Sequence, residues 1–399
     1  MRILISAYAC EPGKGSEPEV GLQIALIAAS EHEVWVMTRE NNLPALRAFL
    51  NSHPLRDKIH LIGFDVDGMP QRVKKRGGLV TLHWYHDLWQ RRLAELAIRL
   101  DSETDFDVVH HATFATYWTR VGVASVRKPL VWGPIGGGAT PPLRLLPVMG
   151  LGGAAGDLVR SFSRPIVARL IGARRSAKQA AVVLVQNPET AHRLFAQDTA
   201  VVLPNALVAA RSAPLLGENQ TEQDAPPRII TAGRLIALKG TELAIRAMQH
   251  IRHSEAILEV YGDGPQRKRL ERLRNEMRLD QRVRFHGRVQ RSILEEALAK
   301  AAVLVHPALH EEAGFVVVEA LTLGTPVVCL DRGGPPVIVK KWPDVPSRVV
   351  RPSTPGVTAR RIALALDDVI GQRGEPDSRP AQQFTEGLLA AYSYAASGA

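Results

Sequence analysis

The chain has 399 residues, 45% apolar and 23% charged, with 50 Lys and Arg against 40 Asp and Glu. That length suits about two domains, and the apolar share can fill two cores, which excludes a chain disordered throughout. A formal net charge of +10 calls for an acidic partner such as anionic lipid, nucleic acid or a phosphorylated small molecule. No stretch reaches the roughly 18 apolar residues of a membrane span. The amino terminus turns polar within about a dozen residues, too early for a secretory signal, so the expected location is cytoplasmic. Cys10 and Cys329 stand too far apart for a disulfide framework and fit the role of small hydrophobes.

In chain order, RILISAY reads as a buried first strand. Ser16 with Glu19 three residues later has the spacing of a capping box, and an apolar helix over about 18–30 follows. The loop between them, ACEPGKGSEPEVG, leaves backbone amides at a helix start, where an anion is favoured, and Gly13 and Gly15 beside Lys14 permit close approach. It has neither the Walker spacing nor a dinucleotide fingerprint, because Pro18 holds the third glycine position. A simple tight turn is the alternative.

Strands follow at EVWVMT, KIHLIGF, DVVHHA, KPLVWG and AVVLVQ, the last running into NPET, where Asn187 can cap a helix and Pro188 can take its first position. These elements make a doubly wound domain over 1–211. His110 and His111 end the strand DVVHHA, and alternation along a strand lets only one address the open end. His111 is favoured for that role, with His110 as a hydrogen-bonded core histidine. WGPIGGG over 132–138 reads as a flexible loop whose Gly136 and Gly137 could border a ligand, or as a structural turn.

Basic residues gather at 72–76, next to WYHDLW over 84–89, and again at Arg160, Arg164, Arg169, Arg174, Arg175 and Lys178 among apolar neighbours. Basic amphipathic segments with tryptophan nearby suit attachment to an anionic membrane surface; a solvated basic face is the bland alternative. A nucleic-acid partner is not expected, since no helix-turn-helix, zinc-finger or RNA-recognition pattern occurs. Asp-x-Asp occurs at Asp65 with Asp67 and at Asp105 with Asp107, in unrelated contexts that give neither pair weight as a metal site. His83 and His86 have no cysteine partners and make a poor zinc candidate.

A polar, proline-containing stretch over 212–227 has the composition of a linker. A second α/β series then begins: RIITAG, ILEVYG, RVRFHG, AVLVHP, PVVCL and SRVVRP, filling a domain over 228–380. Within it Glu311 and Glu319 lie eight positions apart between two buried strands, with a short helix over about 316–323. Glu311 is expected at the carboxyl end of the first strand and Glu319 about two turns into the helix. Ligands of open α/β sheets lie beyond the carboxyl ends of the strands, so two carboxylates there suit a molecule rich in hydroxyl donors. Glu319 sits in the apolar run VVVEAL, where an unpaired carboxylate is costly.

This run resembles the E-x7-E motif of the retaining glycosyltransferases of family 4 (glycosyl transferases group 1), which have the GT-B fold. TAGRLIALKG with Arg234 and Lys239, YGDGP over 261–265 and VRFHGRV over 283–289 resemble the family in the same order and spacing. LPNA over 203–206 and the first Gly-rich loop match more loosely. The resemblance implies two Rossmann-like doubly wound domains facing across a cleft, with a closing helix over about 381–399 crossing back to the first. It implies transfer of a sugar from a UDP- or GDP-linked donor with retention of configuration, no cofactor and no metal. His111, Glu311, Arg234 and Lys239 are then the catalytic set. The donor is bound by Gly13, Lys14, Gly15, Arg234, Lys239, Gly262, Gly264, Gly314, Phe315, Val316 and Glu319, with His110, Gly136 and Gly137 on the acceptor side.

Two departures stand out. The family pattern is histidine, any residue, histidine where this chain has adjacent His110 and His111, and a glutamate often follows the paired glycines where this chain has Pro335 and Pro336. The expected acceptor is a lipid-linked saccharide in surface polysaccharide assembly, met by an enzyme peripheral on the inner face of the cell membrane. A soluble small-molecule acceptor, or a nucleotide-sugar epimerase of the same fold, are the alternatives.

Overall fold

The computed structural model describes residues 1–66, 68, 78–206 and 226–398. The whole basic cluster at 72–76, Asp67 and nearly all of the expected linker lie outside the described residues. The chain divides into two compact units, one of Met1–Gly138, Ser163–Val208 and Gln383–Ala399, the other of Ala139–Phe162 and Ala209–Gln382.

The first unit holds a seven-stranded sheet in the order β3-β2-β1-β4-β5-β6-β7, from β1 (Arg2–Ser6), β2 (Glu33–Thr38), β3 (Ile59–Gly63), β4 (Val108–His111), β5 (Leu130–Ile135), β6 (Val182–Val185) and β7 (Ala200–Val202). All pairings are parallel. The inner strands β1, β4, β5 and β6 are short, mostly aliphatic and β-branched runs buried on both faces, the pattern of a sheet covered by helices, while the edge strands β3 and β7 are only partly buried. β7 has no counterpart among the sequence expectations, because its three residues run straight into the LPNA segment.

The helix Leu79–Thr104 carries WYHDLW, and its aromatic rings mostly face inward. Tyr85 and Trp89 are fully buried, Trp89 donates to the Phe64 carbonyl at 3.0 Å and stacks on the Phe64 ring, and only Trp84 is exposed. Most of this segment is therefore core and not the surface anchor its composition suggests. WGPIGGG is likewise no flexible loop. Its first half is β5, Gly136 exchanges backbone bonds with Ala115 and Tyr117, and a side chain at Gly137 would collide with the Trp118 ring. The helix Ser16–Glu31 begins two residues earlier than expected and is capped by Gly15, with no side-chain cap bond. Glu19 reaches back to the amide of Gly13 at 3.0 Å, so the capping box does not form.

The last helix, Arg379–Ser397, supplies Phe384, Leu388 and Tyr392 to the first unit, all fully buried. β4 pairs with β1 so that His110 lies beside Ile5 and His111 beside Ser6. Alternation sends the two rings to opposite faces. His110 Nε2 donates to the Gly133 carbonyl at 2.7 Å, and its Nδ1 then accepts from the Tyr392 hydroxyl at 2.7 Å. With both nitrogens used in the core, His110 is removed from the acceptor-side set. His111 lies toward His86, ring centroids 6.4 Å apart, and is also fully buried. No ring of the pair opens to solvent, contrary to expectation.

The second unit has six parallel strands in the order β10-β9-β8-β11-β12-β13, from β8 (Arg228–Ala232), β9 (Ile257–Tyr261), β10 (Val283–Gly287), β11 (Val303–His306), β12 (Val327–Leu330) and β13 (Arg348–Val350). Its core joins Ile229, Leu258, Val305 and Val328 from the sheet to Leu243, Ile362 and Leu366 from helices. Leu145, Val148 and Met149 are buried in this core as well, which is why 139–162 belongs to the second unit and not, as expected, to the first.

Replacing Tyr392 by Phe leaves His110 Nδ1 buried without a donor, which should cost about 1–3 kcal/mol in urea unfolding. The histidines also set a pH dependence. Burial lowers His110 to about 4, against a smaller upward pull from the Gly133 carbonyl, and lowers His111 to about 3 with help from His110. In the unfolded chain both titrate near 6.5, so it binds more protons between these values. Their contribution is complete above pH about 6.5 and is lost as pH falls toward 4. Unfolding free energy should drop between pH 7 and 5, by at most about 1.4 kcal/mol per pH unit per histidine, and less steeply in His111→Asn; equal slopes would contradict this.

Candidate functional site

In the second unit β8 is flanked by β9 on one side and β11 on the other, so the chain order reverses there and the loops after β8 and β11 diverge from neighbouring strand ends. That is the switch point at which open α/β sheets bind ligands. The β8 loop folds over Gly233 and ends in a short 3-10 turn, Ala237–Lys239. Leu309 and His310, in the β11 loop, donate their amides to the Leu238 carbonyl at 2.8 and 3.3 Å. A side chain at Gly240 would strike the Pro307 carbonyl. The two loops are thereby locked together, with Lys239 beside Glu311.

Lys239 Nζ is paired with Glu311 Oε2, and His306 Nε2 lies 3.3 Å from the same oxygen. Burial pushes the Glu311 carboxyl up, but the nearby His306 ring and the Lys239 charge together outweigh it and hold the group far below the usual carboxylate range. Glu311 is thus an enclosed, ionised carboxylate. Its backbone carbonyl accepts from the Gly334 amide at 3.0 Å, and a side chain at Gly333 would collide with it. The paired glycines therefore fit against this loop even though prolines follow them.

Arg234 is exposed on the β8 loop; its carbonyl accepts from the Ile236 amide at 2.8 Å, and its guanidinium has no hydrogen bond or ion pair among the described residues. Beside it a small pocket is lined by Thr231, Gly233, Lys239, Thr241, Tyr261 and His306, among others. Gly262 and Gly264 pack instead of opening a cradle: a side chain at either would strike the carbonyl of Gly233 or Leu235, and Gly262 donates to the Gly287 carbonyl at 2.7 Å. Their place is to bring the β9 loop onto the β8 loop.

The helix after β11 is Phe315–Thr322, capped by Gly314 at φ 90°. Gly314 permits that left-handed turn, and half-buried Phe315 and Val316 open the helix. Glu319 is its fifth residue, one turn in and not two, since the helix starts only four residues before it. Its carboxylate pairs with Arg291 at 3.2 Å; burial raises its pKa, and the Arg291 charge partly offsets this. Arg291 also holds Glu295 at 2.7 Å.

In the first unit Gly13 and Gly15 both take positive φ, but the Gly13 amide is already used by Glu19 and Lys14 pairs with Glu11 at 2.8 Å. Gly13 therefore does not present the free amide expected of an anion-binding loop. Neither nitrogen of His111 has a hydrogen-bond partner among the described residues.

Sequence reasoning missed two partners. His306 ends β11 two residues after Leu304, and the motif VLVHP showed it without marking it as a neighbour of Glu311. Arg291 starts a helix 28 positions before Glu319, and nothing in the spacing links them.

Residues 216–377 match the family model of the glycosyl transferases group 1. An uncharacterized glycosyltransferase, MJ1607, of Methanocaldococcus jannaschii is 36% identical over 148 residues; the alignment covers 37% of this chain and 37% of that protein, so the chain matches little more than a third of it. A 2-deoxystreptamine glucosyltransferase of Streptomyces kanamyceticus is 29% identical over 348 residues, covering 85% of this chain and 81% of that one. The crystal structure of Anabaena Alr3699/HepE in complex with UDP superposes with a TM-score of 0.57 at 17% identity, covering 98% of this chain and all of that one, a likeness that gives the fold. With these matches added to the two parallel sheets and the Glu311 and Glu319 loop, residues 216–377 carry a glycosyl transferases group 1 domain and the chain has the GT-B fold.

Proposed function

We propose that this chain transfers a sugar from a nucleoside-diphosphate sugar to a hydroxyl group of an acceptor, with retention of anomeric configuration and without a metal ion. The observation that carries the reading is Glu311, ionised between Lys239 and His306 at the switch point of the second unit. An enclosed carboxylate with acceptor lone pairs to spare suits sugar hydroxyls. Lys239 has three donors and can hold Glu311 while reaching a phosphate; the Arg234 guanidinium is exposed and can grip phosphate oxygens as a fork. Together they offset the negative charge that grows on the diphosphate as the glycosidic bond breaks, which is why the reaction needs no metal.

In this reading Glu319 accepts from the ribose hydroxyls and Arg291 keeps it oriented. The bond from the anomeric carbon to the diphosphate oxygen breaks as the bond to the acceptor oxygen forms on the same face. The departing phosphate oxygen takes the acceptor proton. His111 is the histidine of the first unit that would meet the sugar, since its nitrogens are unfilled while those of His110 are committed to the core.

The proposed acceptor is a lipid-linked saccharide in surface polysaccharide assembly, reached at the cytoplasmic face of a membrane. It is supported by the basic and apolar stretch over 158–178. A soluble amino-sugar-like acceptor is the second reading, favoured by the 2-deoxystreptamine glucosyltransferase that aligns along most of the chain.

Steady-state transfer from UDP- and GDP-sugars to each acceptor class tests the reading. Lys239→Met should lower kcat on the order of a hundredfold, Glu311→Ala should act mainly on kcat and Glu319→Ala mainly on the donor KM, with EDTA leaving the rate unchanged. Conversion of the donor to an isomer without any acceptor would make the chain an epimerase, and unchanged kinetics in all three variants would remove the site.

A further inference from the structure

Between positions 158 and 188 the chain has six basic residues, Arg160, Arg164, Arg169, Arg174, Arg175 and Lys178, and neither Asp nor Glu. The helical segment Leu146–Leu170, broken at Gly150, places apolar residues outward in the part after the break. Ile166 is 60% exposed and Leu170 80% exposed, one turn apart on the same stripe, with Val167 beside them. Val159 and Phe162, on preceding turns of the same helix, are exposed as well. The opposite side is anchored: Ala168 is buried, and the Arg164 guanidinium lies 4.2 Å from the centre of the Trp118 ring.

An ordinary surface helix buries its apolar stripe and exposes its charges. This one exposes both, with Arg169 at the border of the stripe. The next helix, Ala173–Gln179, adds exposed Arg174, Arg175 and Lys178, and the Arg174 guanidinium sits 3.6 Å from the ring centre of Phe195, itself 64% exposed. Apolar side chains edged by cations, with no carboxylate in the segment, are complementary to a surface that offers acyl chains under negative headgroups.

We propose that the outward face of Ser163–Leu170, with Arg174, Arg175, Lys178 and Phe195, docks this protein on an anionic lipid bilayer. Ile166, Leu170 and Phe195 enter the boundary between headgroups and acyl chains, and the basic residues meet the phosphates. The proposal gives a surface to the membrane-side acceptor of the preceding reading but does not depend on the transfer chemistry.

The test is co-sedimentation of the full-length protein, without donor, with vesicles of phosphatidylglycerol and phosphatidylcholine and with vesicles of phosphatidylcholine alone. Binding to the anionic vesicles should be at least tenfold tighter and should fall steeply as salt rises, since charge attraction at a surface decays within a Debye length. Ile166→Ser with Leu170→Ser, and separately Arg174→Gln with Arg175→Gln, should each keep the wild-type melting temperature. The arginine pair should weaken binding by about 25-fold, near fivefold per charge. If the serine variant fails to fold, the arginine variant carries the test. No binding, equal binding to both vesicle types, unchanged binding in the folded variants, or a dimer in sedimentation equilibrium that the serine variant abolishes would overturn the proposal, the last assigning the face to a second copy of the chain. Because no donor is present, these outcomes are separate from failure of the transferase reading, which would appear as absent turnover with vesicle binding intact.

Discussion

The second unit is organised around a charge that would be costly alone. A carboxylate as enclosed as Glu311 is held ionised only because Lys239 and His306 converge on one of its oxygens. That convergence requires β8 and β11 to be neighbours, so that the loops leaving them run side by side and share the Leu238 carbonyl. The glycines at 240, 262, 264 and 333 follow from the same demand. Each stands where a side chain would strike the carbonyl of an adjoining loop, so the site rests on backbone packed against backbone. A rigid base of this kind suits catalysis that relies on fixed charges aimed at a leaving group.

The first unit solves a different problem with buried histidines. His110 is spent on structure, joining β4 to β5 and to the last helix through Gly133 and Tyr392. His111, its neighbour, is left with open nitrogens among Tyr8, His86 and Phe114, which pack against one another. One step along a strand separates a core residue from a candidate for sugar contact.

Much of this was legible in the sequence, and for identifiable reasons. The central strands of the second unit were readable because parallel strands buried on both faces are continuous β-branched runs, as in VLVH and VVCL. Glu311 and Glu319 were conspicuous because carboxylates are rare in such surroundings. What failed depended on contacts between distant positions. Glu19 has the spacing of a capping box, yet it bonds to Gly13 because Gly15 already turns the chain into the helix. WGPIGGG has the composition of a loop, but Trp118 and Ala115 enclose it. The aromatic run at 84–89 looked like a surface anchor until Phe64 took Trp89 into the core. His306 and Arg291 bear on the two glutamates only through the fold. The segment Ala139–Phe162 carries no mark in its sequence of which core it joins; Leu145, Val148 and Met149 decide that by packing.

The central claim is that the loop pair around Lys239 and Glu311 is a diphosphate-sugar site. The most direct measurement is the thermal stability of wild type and Lys239→Met across uridine, guanosine, adenosine and thymidine diphosphates and their sugars. A nucleotide at one hundred times its dissociation constant should stabilise the wild-type protein by about 2.7 kcal/mol, with the shift largely lost in the variant. A wild-type protein that no nucleotide stabilises, or a variant stabilised to the same extent, would contradict the account.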